Sequence, residues 1–485
     1  MRGDRRVAIG LVAILVAGAV LRILMVLAWK PAFFGWPDAA SYIGVSQSDE
    51  LFRNELRPAG YPLVLKGLHA LSPTLMLVVI FHHVLGLVSA VVTYLAVART
   101  GISRGLALVP AAFVALAAPE IFMEHSPNSE TVFVFLMSLA LYCGVRTTEG
   151  TSLWWPALGG LALATAASVR VVALPILILG GVWLLFAVPG APLRRRLTVT
   201  AAGALGALAL LVPYYVVEYQ AEGRTGLSRN GVWNIYGRVA PFADCKKFTP
   251  PPGTEPLCEN VPRAKRPYTN QYTFNYWYSP AIRYFGDPHS ATAAKTAGVQ
   301  AFTWEVVTHQ PLAYLEEVGG ATLRYVAPES FRGYGGGYSW HDLVHHQVLF
   351  NSTYNPLGIR DARPHYTDAK RFSVNRNLIS ALRTYESATR LQGPVFVLFA
   401  LLSFAAPFLT TGRARSAAIL FGLSAWVMLI VPVATVEFSV RTAVPALGPF
   451  AAAAAVGAQG ALAAFARRRR REPSRGAAPQ PAEAS

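Results

Sequence analysis

Charged residues are scarce in this sequence: Asp, Glu, Lys and Arg make up only 14% of its 485 residues. Soluble domains carry about 25% of them, so the composition excludes an ordinary soluble enzyme. Because 53% of the residues are hydrophobic, it also excludes a disordered or fibrous chain. Long uncharged runs of Ala, Leu and Val instead predict membrane-spanning helices of about 20 residues each.

Several sequence signatures are missing as well. The sequence contains no phosphate-binding loop, no dinucleotide-binding glycine fingerprint and no zinc-type spacing of Cys and His. A soluble domain that binds ATP or a nucleotide-sugar is therefore not expected. There are only three cysteines. Cys143 lies in an apolar run and is predicted to be buried. Cys245 and Cys258 share a polar segment and could form a disulfide if that segment faces away from the cytosol; two unpaired thiols are the alternative.

The apolar runs predict an all-α polytopic membrane protein with a bundle of about ten transmembrane helices. They lie at Val7–Ala28, Leu75–Ala98, Leu106–Ala118, Thr131–Val145, Leu153–Val169, Val171–Val188, Leu197–Val217, Val395–Leu409, Ser416–Val433 and Ala443–Ala466. The first run lacks a signal-peptide cleavage site and is predicted to be a retained span.

The formal net charge of +17 comes largely from arginine clusters between these runs. We interpret them as a topology signal rather than as a surface for nucleic acid. If ten spans are counted, all the clusters fall on one side, which the positive-inside rule makes the cytoplasm, with both termini there. The clusters are Arg2/Arg5/Arg6, Arg99/Arg104, Arg146, Arg194–Arg196, Arg413/Arg415 and Arg467–Arg471.

Two long polar segments then face the opposite, extracytoplasmic side. The predicted organisation is an N-terminal transmembrane module (1–217) that includes a first outer loop (29–72), an outer loop domain (218–390), C-terminal transmembrane helices (391–466) and a basic, disordered tail (467–485). The outer domain is expected to be mainly helical or irregular, with helices near 291–307 and 311–325. The glycine-rich string at 331–338 is predicted to be a loop.

The ionisable residues in or beside the predicted spans lie at the outer ends of those spans. Charged side chains within a membrane usually mark a functional site. One interpretation is helix capping and local pairing, for example of Glu437 with Arg441. The other is a shared outer site that binds an anionic headgroup. The residues concerned are Arg22, Glu124, Glu130, Arg170, Glu437 and Arg441.

The first outer loop contains the richest set of candidate residues. Asp38 lies close to the predicted membrane surface and could act as a general base; the alternative is a cap for a short helix over 39–47. Arg57 is suited to binding phosphate, and Pro58 could start a second helix that runs to Leu71. Tyr61 is predicted to anchor the loop at the membrane interface.

These residues resemble a known family in their order and spacing. Leu21-Arg22, Asp38 with Tyr42, and Arg57-Pro58-Ala59-Gly60-Tyr61-Pro62 are similar to the bacterial protein O-mannosyltransferase and aminoarabinose-transferase group, which is family 39-like within the GT-C superfamily of glycosyltransferases. Further similarities are Ser129-Glu130, Arg170 before Leu174-Pro175, and Arg441 before Val444-Pro445. The similarity covers the membrane core, while the outer domain resembles no family.

The resemblance implies a polyprenyl-phosphate-linked sugar donor, transfer with inversion on the extracytoplasmic side, and Asp38 as the catalytic base. Ala39 replaces the second acidic residue of the protein mannosyltransferases, so an envelope glycan or lipid is a better acceptor than a protein. Donor and acceptor binding would involve Tyr42, Arg57, Tyr61, His83, Glu130, Arg170, Glu437 and Arg441. Tyr334, Tyr338 and Trp340 of the outer domain could line the acceptor side.

The cofactor is left unknown by the sequence. A divalent metal is possible, since some GT-C enzymes bind one. His82 and His83 could supply ligands, as could His341, His345 and His346. Of these, His341 and His345 have the i,i+4 spacing that suits a metal if the segment is helical, but no third ligand is evident for that pair. No metal residue is therefore assigned.

The sequence thus predicts a glycosyltransferase of a bacterial plasma membrane. Two other functions remain open. A transporter or flippase of lipid-linked sugars predicts charges near the membrane midplane. A non-catalytic scaffold that binds an envelope polymer predicts that substitution of Asp38 has no effect.

Overall fold

The computed structural model describes the chain except residues 1, 35–36, 50, 53–56, 151, 224–225, 229, 267–271, 274–277, 289, 327–361, 390–392 and 472–485. The described part is almost entirely α-helical and confirms the all-α, polytopic membrane class. Its first ten helices are α1 (Arg2–Ala28), α2 (Pro37–Gln47), α3 (Gly60–Leu71), α4 (Leu75–Ala98), α5 (Leu108–Leu116), α6 (Ala118–Glu124), α7 (Glu130–Thr147), α8 (Trp154–Val169), α9 (Ala173–Leu184) and α10 (Leu193–Glu222).

The remaining helices belong to the second polar segment and the C-terminal part. They are α11 (Asn230–Val239), α12 (Pro280–Phe285), α13 (Ala293–His309), α14 (Pro311–Leu323), α15 (Arg376–Thr389), α16 (Gly393–Leu409), α17 (Gly412–Thr435), α18 (Val440–Ala443) and α19 (Leu447–Arg471). Two strands of two residues each, β1 (Trp29–Lys30) and β2 (Ser373–Val374), pair antiparallel and join the end of α1 to the start of α15.

Each of the ten predicted apolar runs contains a helix, but the helices differ in length. Among the described residues, six are long and apolar enough to cross a membrane: α1, α4, α7, α10, α17 and α19. A seventh crossing exists if α15 and α16, which meet at a bend of 50°, count as one broken span. Helices α5, α8 and α9 have only 9, 16 and 12 residues. By length and composition alone the described helices therefore supply six or seven crossings rather than the predicted ten, because α5, α8 and α9 are shorter than a typical span.

Helix α1 shows how the bundle meets lipid. Its large apolar side chains are exposed along one stripe, which includes Ile9, Val16, Ile23 and Leu27. A soluble protein rarely leaves a contiguous apolar surface of this kind exposed to water. The stripe is consistent with a lipid-facing side of the bundle.

Helices α8 and α10 approach each other through glycine. A Cβ added to Gly160 would lie 1.9 Å from the backbone oxygen of Gly203, and one added to Gly206 would lie 1.9 Å from that of Ala157. Close backbone approach at small residues is typical of helix packing in membranes, where no hydrophobic effect drives association. Helix α10 then ends at Gly223, whose φ of +68° is the left-handed conformation that suits a helix C-terminus.

The second polar segment has its own small core. Tyr236 of α11, Phe302 of α13 and Phe248 pack together in it, and the Cys245–Cys258 disulfide lies beside them. Of the two alternatives for Cys245 and Cys258, the structure contains the disulfide, and the free thiol of Cys143 is buried as predicted. The helices expected near 291–307 and 311–325 are α13 and α14, and those expected at 39–47 and 58–71 are α2 and α3. The predicted loop at 331–338 lies outside the described residues.

Candidate functional site

The candidate site lies at one end of the bundle, where four elements meet. Helix α2 contributes Asp38, the first turn of α7 contributes Glu130, the C-cap of α8 is Arg170, and the short helix α18 contributes Arg441. Arg146 lies in the last turn of α7. Sixteen residues at 1.5 Å each separate Glu130 from Arg146 by about 24 Å. The site is therefore at the end of the bundle opposite the basic clusters; we call this the site end.

Asp38 is held by two arginines from different parts of the chain. Its Oδ1 accepts a hydrogen bond from Nη2 of Arg57, and its Oδ2 lies 2.6 Å from Nη2 of Arg441. Burial raises the pKa of Asp38, but Arg441 and Arg57 outweigh it and hold that pKa below its ordinary value. Asp38 is therefore a carboxylate at any physiological pH, and both of its oxygens are already bound.

Glu130 is the second carboxylate of the cluster. Its Oε1 accepts a hydrogen bond of 2.5 Å from Nη1 of Arg170 and another from Nε of Arg441. Only 1% of the Glu130 side chain is exposed, so the charge is almost fully removed from water. Arg441 contacts both carboxylates and links α18 to α2 and α7. A buried charge is tolerated only when it is paired in this way.

The cluster is rich in guanidinium groups. Arg57, Arg170 and Arg441 converge on the carboxylates of Asp38 and Glu130. The site also faces the N-terminus of α7, whose helix dipole adds partial positive charge. Guanidinium groups are suited to binding phosphate. The arrangement therefore has the chemistry needed to bind an anionic group.

Aromatic and hydroxyl groups form a layer behind the cluster. The hydroxyl of Tyr42 lies 3.0 Å from Oγ of Ser129, which also accepts a 3.1 Å hydrogen bond from Arg170. The guanidinium of Arg57 stacks 5.5 Å above the Tyr42 ring. Tyr61 packs edge-on against Tyr42 at 4.9 Å and is fully buried. Tyr61 is therefore not an anchor at the membrane interface, as its amphipathic character suggested, because α3 packs inward against the bundle.

A second ionic network lies deeper between α1, α4 and α6. Arg22 donates two hydrogen bonds to Glu124, of 2.8 and 2.6 Å, and two more to backbone oxygens. Both side chains are at most 3% exposed. Glu124 also contacts Nδ1 of His83 at 2.8 Å, and His83 lies 3.2 Å from the ring of His125. His83 is thus brought near the site, but its contacts suit it to holding the segment before Glu130 in place.

Glu437 lies at the rim of the site between α17 and α18. It is half-buried, and no hydrogen bond or ion pair to its carboxylate occurs within the described part of the chain. The local pairing of Glu437 with Arg441, considered above as the alternative to a shared site, is not among the contacts of the described residues. The residues between α17 and α18 leave the helix, and Arg441 contacts Asp38 and Glu130. Arg238 of α11 is the cation that lowers the pKa of Glu437.

The described residues do not fit a divalent metal. No group of three or more His, Cys, Asp or Glu side chains in this part of the chain could hold one. The two carboxylates of the site are bound by arginines, and a metal would have to displace those guanidinium groups. His82 is instead bonded to Tyr61 and to the backbone oxygens of Glu124 and Ser126. His341, His345 and His346 lie outside the described residues, as do Tyr334, Tyr338 and Trp340.

Most of the residues predicted from the sequence come together. Asp38, Tyr42, Arg57, Glu130, Arg170 and Arg441 form one connected cluster, with Glu437 at its rim and Tyr61 and His83 behind it. Sequence reasoning missed Arg238, which is buried in α11 and donates a 2.7 Å hydrogen bond to the backbone oxygen of Glu317. A single arginine in a polar segment carries no sequence signal that distinguishes it from a surface residue.

Comparison with known proteins gives only distant similarity. No protein-family model and no curated protein matches the chain. Solved structures of the oligosaccharyltransferase of Archaeoglobus fulgidus match at 11% identity: the apo form (TM-score 0.47; 97% of this chain, 52% of that one), the complex with an inhibitory peptide and a dolichol-phosphate (0.41; 97% and 52%), and the form tethered to an acceptor peptide (0.40; 92% and 49%). The chain spans about half the length of these structures. At this distance the similarity supports no conclusion about function.

Proposed function

We propose that this protein is a membrane glycosyltransferase of the GT-C type that transfers a sugar from a polyprenyl-phosphate donor to an envelope glycan or lipid. The observation that carries the proposal is the convergence of three arginines, Arg57, Arg170 and Arg441, on two carboxylates at one end of the bundle. Guanidinium groups gathered in this way are suited to binding a phosphate. A transporter is less well supported, because these charges lie at the helix ends rather than near the membrane midplane.

In this proposal the arginines stabilise the leaving group. Negative charge develops on the donor phosphate as its bond to the sugar breaks, and guanidinium groups already in place favour that state. Positive charge develops on the sugar, and a nearby carboxylate such as Asp38 or Glu130 favours it. Arg441 contacts both carboxylates and would contact the phosphate, so it would couple donor binding to the arrangement of the site.

Asp38 is the proposed general base. In the donor-free arrangement both of its oxygens are bound by arginines, so a carboxylate with a lowered pKa is a weak base there. A donor phosphate competes for the same guanidinium groups. Binding of the donor would therefore release one oxygen of Asp38 toward the acceptor hydroxyl, and the base would be available only when the donor is present.

We propose that the site end is extracytoplasmic. The disulfide of the second polar segment supports this, because disulfides persist outside reducing compartments. That segment packs on the site end, where the hydroxyl of Tyr314 donates a 2.8 Å hydrogen bond to the backbone oxygen of Ala434 at the end of α17. The arginine clusters at the other end agree with a cytoplasmic side under the positive-inside rule. Both termini would then be cytoplasmic in a bacterial plasma membrane.

The proposal is tested by sugar transfer in membranes that contain the wild-type protein or the Asp38→Asn variant. Labelled polyprenyl-phospho-sugars are supplied one at a time, at matched protein levels, together with envelope extract as the acceptor. We expect transfer by the wild type and a loss of about 10²-fold or more in the variant, the usual contribution of a general base. Undiminished transfer by the variant would remove Asp38 from the mechanism. Movement of the donor across the bilayer without transfer would support the flippase instead.

A further inference from the structure

Tyr325 is buried where the second polar segment meets the bundle. It lies just after the end of α14, and only 1% of it is exposed. Its ring stacks on Phe396 of α16, with centroids 6.3 Å apart, and packs 4.7 Å from the ring of Phe438, which comes shortly before α18. A ring that is packed against two other rings has a defined position, and so has the hydroxyl group that it carries.

The hydroxyl of Tyr325 takes part in the hydrogen bonds that close α18. It donates a 3.3 Å hydrogen bond to the backbone oxygen of Ser439 and lies 3.0 Å from Oγ1 of Thr442. The same oxygen of Ser439 accepts hydrogen bonds from the backbone N–H and from the hydroxyl of Thr442, of 3.1 and 2.7 Å. Tyr325 is therefore bound to residues at both ends of the single turn that forms α18.

Helix α18 needs support of this kind from outside. It has only four residues, and a single helical turn is unstable on its own, because its few hydrogen bonds do not offset the entropy lost in ordering it. Arg441 lies within this turn, directly before Thr442. Its guanidinium contacts Asp38 and Glu130. The position of that guanidinium therefore depends on where the backbone of α18 is held.

We propose that Tyr325 is a positioning residue for Arg441: it fixes α18 so that the Arg441 guanidinium is held where the donor phosphate binds. The inference rests on the proposed function. Tyr325 acts through Ser439 and Thr442 rather than on the donor itself. The geometry of a binding site depends on the residues that lock its contacting side chains in place. The second polar segment thereby contributes to donor binding.

The first test is the Kd of a short-chain polyprenyl phosphate for the full-length protein in nanodiscs, compared between the wild type and Tyr325→Phe. The variant keeps its ring against Phe396 and Phe438 and loses only the hydroxyl. Ser439 keeps its hydrogen bonds from Thr442, so the variant should fold. We expect Kd to rise about 3- to 10-fold, which corresponds to the usual contribution of one hydrogen bond. A wild-type Kd in Tyr325→Phe would overturn the inference.

The matched control is Tyr314→Phe. Tyr314 also belongs to the second polar segment and also donates a hydrogen bond to the bundle, of 2.8 Å to the backbone oxygen of Ala434. That oxygen belongs to α17 rather than to α18, so Tyr314→Phe should leave Kd unchanged. An equal rise in Kd for both variants would also overturn the inference, because donor affinity would then depend on general docking of the segment rather than on the position of Arg441.

A double variant tests whether Tyr325 acts through Arg441. Arg441→Gln should fold, because Arg57 and Arg170 remain in contact with the two carboxylates of the cluster. In that background Tyr325→Phe should change Kd by less than about twofold, since the side chain that it positions has been removed. A change as large as in the wild-type background would show that Tyr325 affects the donor by another route, and would overturn the inference.

Hydrogen exchange of the backbone amides of α18 gives a readout that needs no ligand. In the wild type the N–H of Thr442 is bonded to Ser439. Tyr325→Phe should make this amide exchange about 3- to 10-fold faster, whereas Tyr314→Phe should not. Unchanged exchange in Tyr325→Phe would overturn the inference. A wild type that binds no polyprenyl phosphate, while exchange in α18 still depends on Tyr325, would overturn the proposed function and leave the support of α18 by Tyr325 in place.

Discussion

Substitution of Asp38 by Asn should lower sugar transfer and at the same time tighten the binding of the donor phosphate. These two effects have opposite signs because Asp38 has two roles in the proposed site. It is the base, and it also competes with the donor for Arg57 and Arg441. The Asn variant removes one negative charge from the cluster, so that Glu130 is the carboxylate that still contacts Arg170 and Arg441.

The expected gain in the binding free energy of the donor phosphate depends on how far the charges of the site are exposed to solvent. Two unit charges about 5 Å apart interact by roughly 3 kcal/mol at an effective dielectric constant of about 20. The side chains of Asp38 and Arg57 are 18% and 24% exposed, so solvent screens part of this. We therefore expect a net gain of about 1–2 kcal/mol, which corresponds to a roughly 5- to 30-fold lower Kd for the polyprenyl phosphate.

The measurement is a titration of purified protein in nanodiscs with a short-chain polyprenyl phosphate, at low and at moderate salt. The gain should shrink as salt rises, because partly exposed charges are screened. Glu149→Gln is the matched control: it removes one negative charge at the opposite end, where Glu149 pairs with Arg99 and Arg146. Its Kd should equal that of the wild type.

Weaker binding by Asp38→Asn would refute this reasoning. It would mean that the carboxylate is needed to hold Arg57 and Arg441 in position, and that its competition with the phosphate is the smaller effect. An equal gain in the Glu149→Gln control would also refute it, because the effect would then follow the total charge of the protein rather than the local arrangement.

Three further predictions concern stability. Glu124→Gln should destabilise the protein by about 3–5 kcal/mol, since it leaves the buried charge of Arg22 uncompensated. Replacing both residues by Leu should recover most of the lost stability. A denaturation series in detergent compares the variants, and a double variant as unstable as Glu124→Gln would contradict the pairing. Cys258→Ser should lower the stability of the second polar segment by roughly 3 kcal/mol, because it opens the loop that the disulfide with Cys245 closes. The variant should be cleaved faster than the wild type in limited proteolysis, and an unchanged cleavage rate would contradict the prediction. Gly60→Leu should lower the midpoint of thermal denaturation, because a Cβ at Gly60 would lie 2.4 Å from a backbone oxygen of α8. The control is Gly67→Leu, which should have little effect because a Cβ there has no heavy atom within 4 Å.

Hydrophobic periodicity and charge placement were enough to predict much of this molecule from its sequence. The scarcity of charge and the apolar runs predict an all-α membrane protein, because only helices and closed barrels satisfy their backbone groups in lipid. The disulfide and the two helices of the first polar loop could also be predicted, since each depends on residues close in sequence. The number of spans was harder to predict, because composition does not show where a helix bends or stops short.

The partners of each charged side chain were decided only by the tertiary structure. Asp38, Glu130 and Arg441 are separated by 92 and 311 positions, and nothing in their local sequence specifies that one guanidinium contacts both carboxylates. Local spacing also allowed a pairing of Glu437 with Arg441, whereas Arg441 contacts Asp38 and Glu130 in the fold. Ionic contacts in a bundle depend on which helix ends meet, and this is set by the packing of all the helices together. The residue types of the site were therefore predictable from the sequence, whereas the contacts of its carboxylates emerged only from the fold.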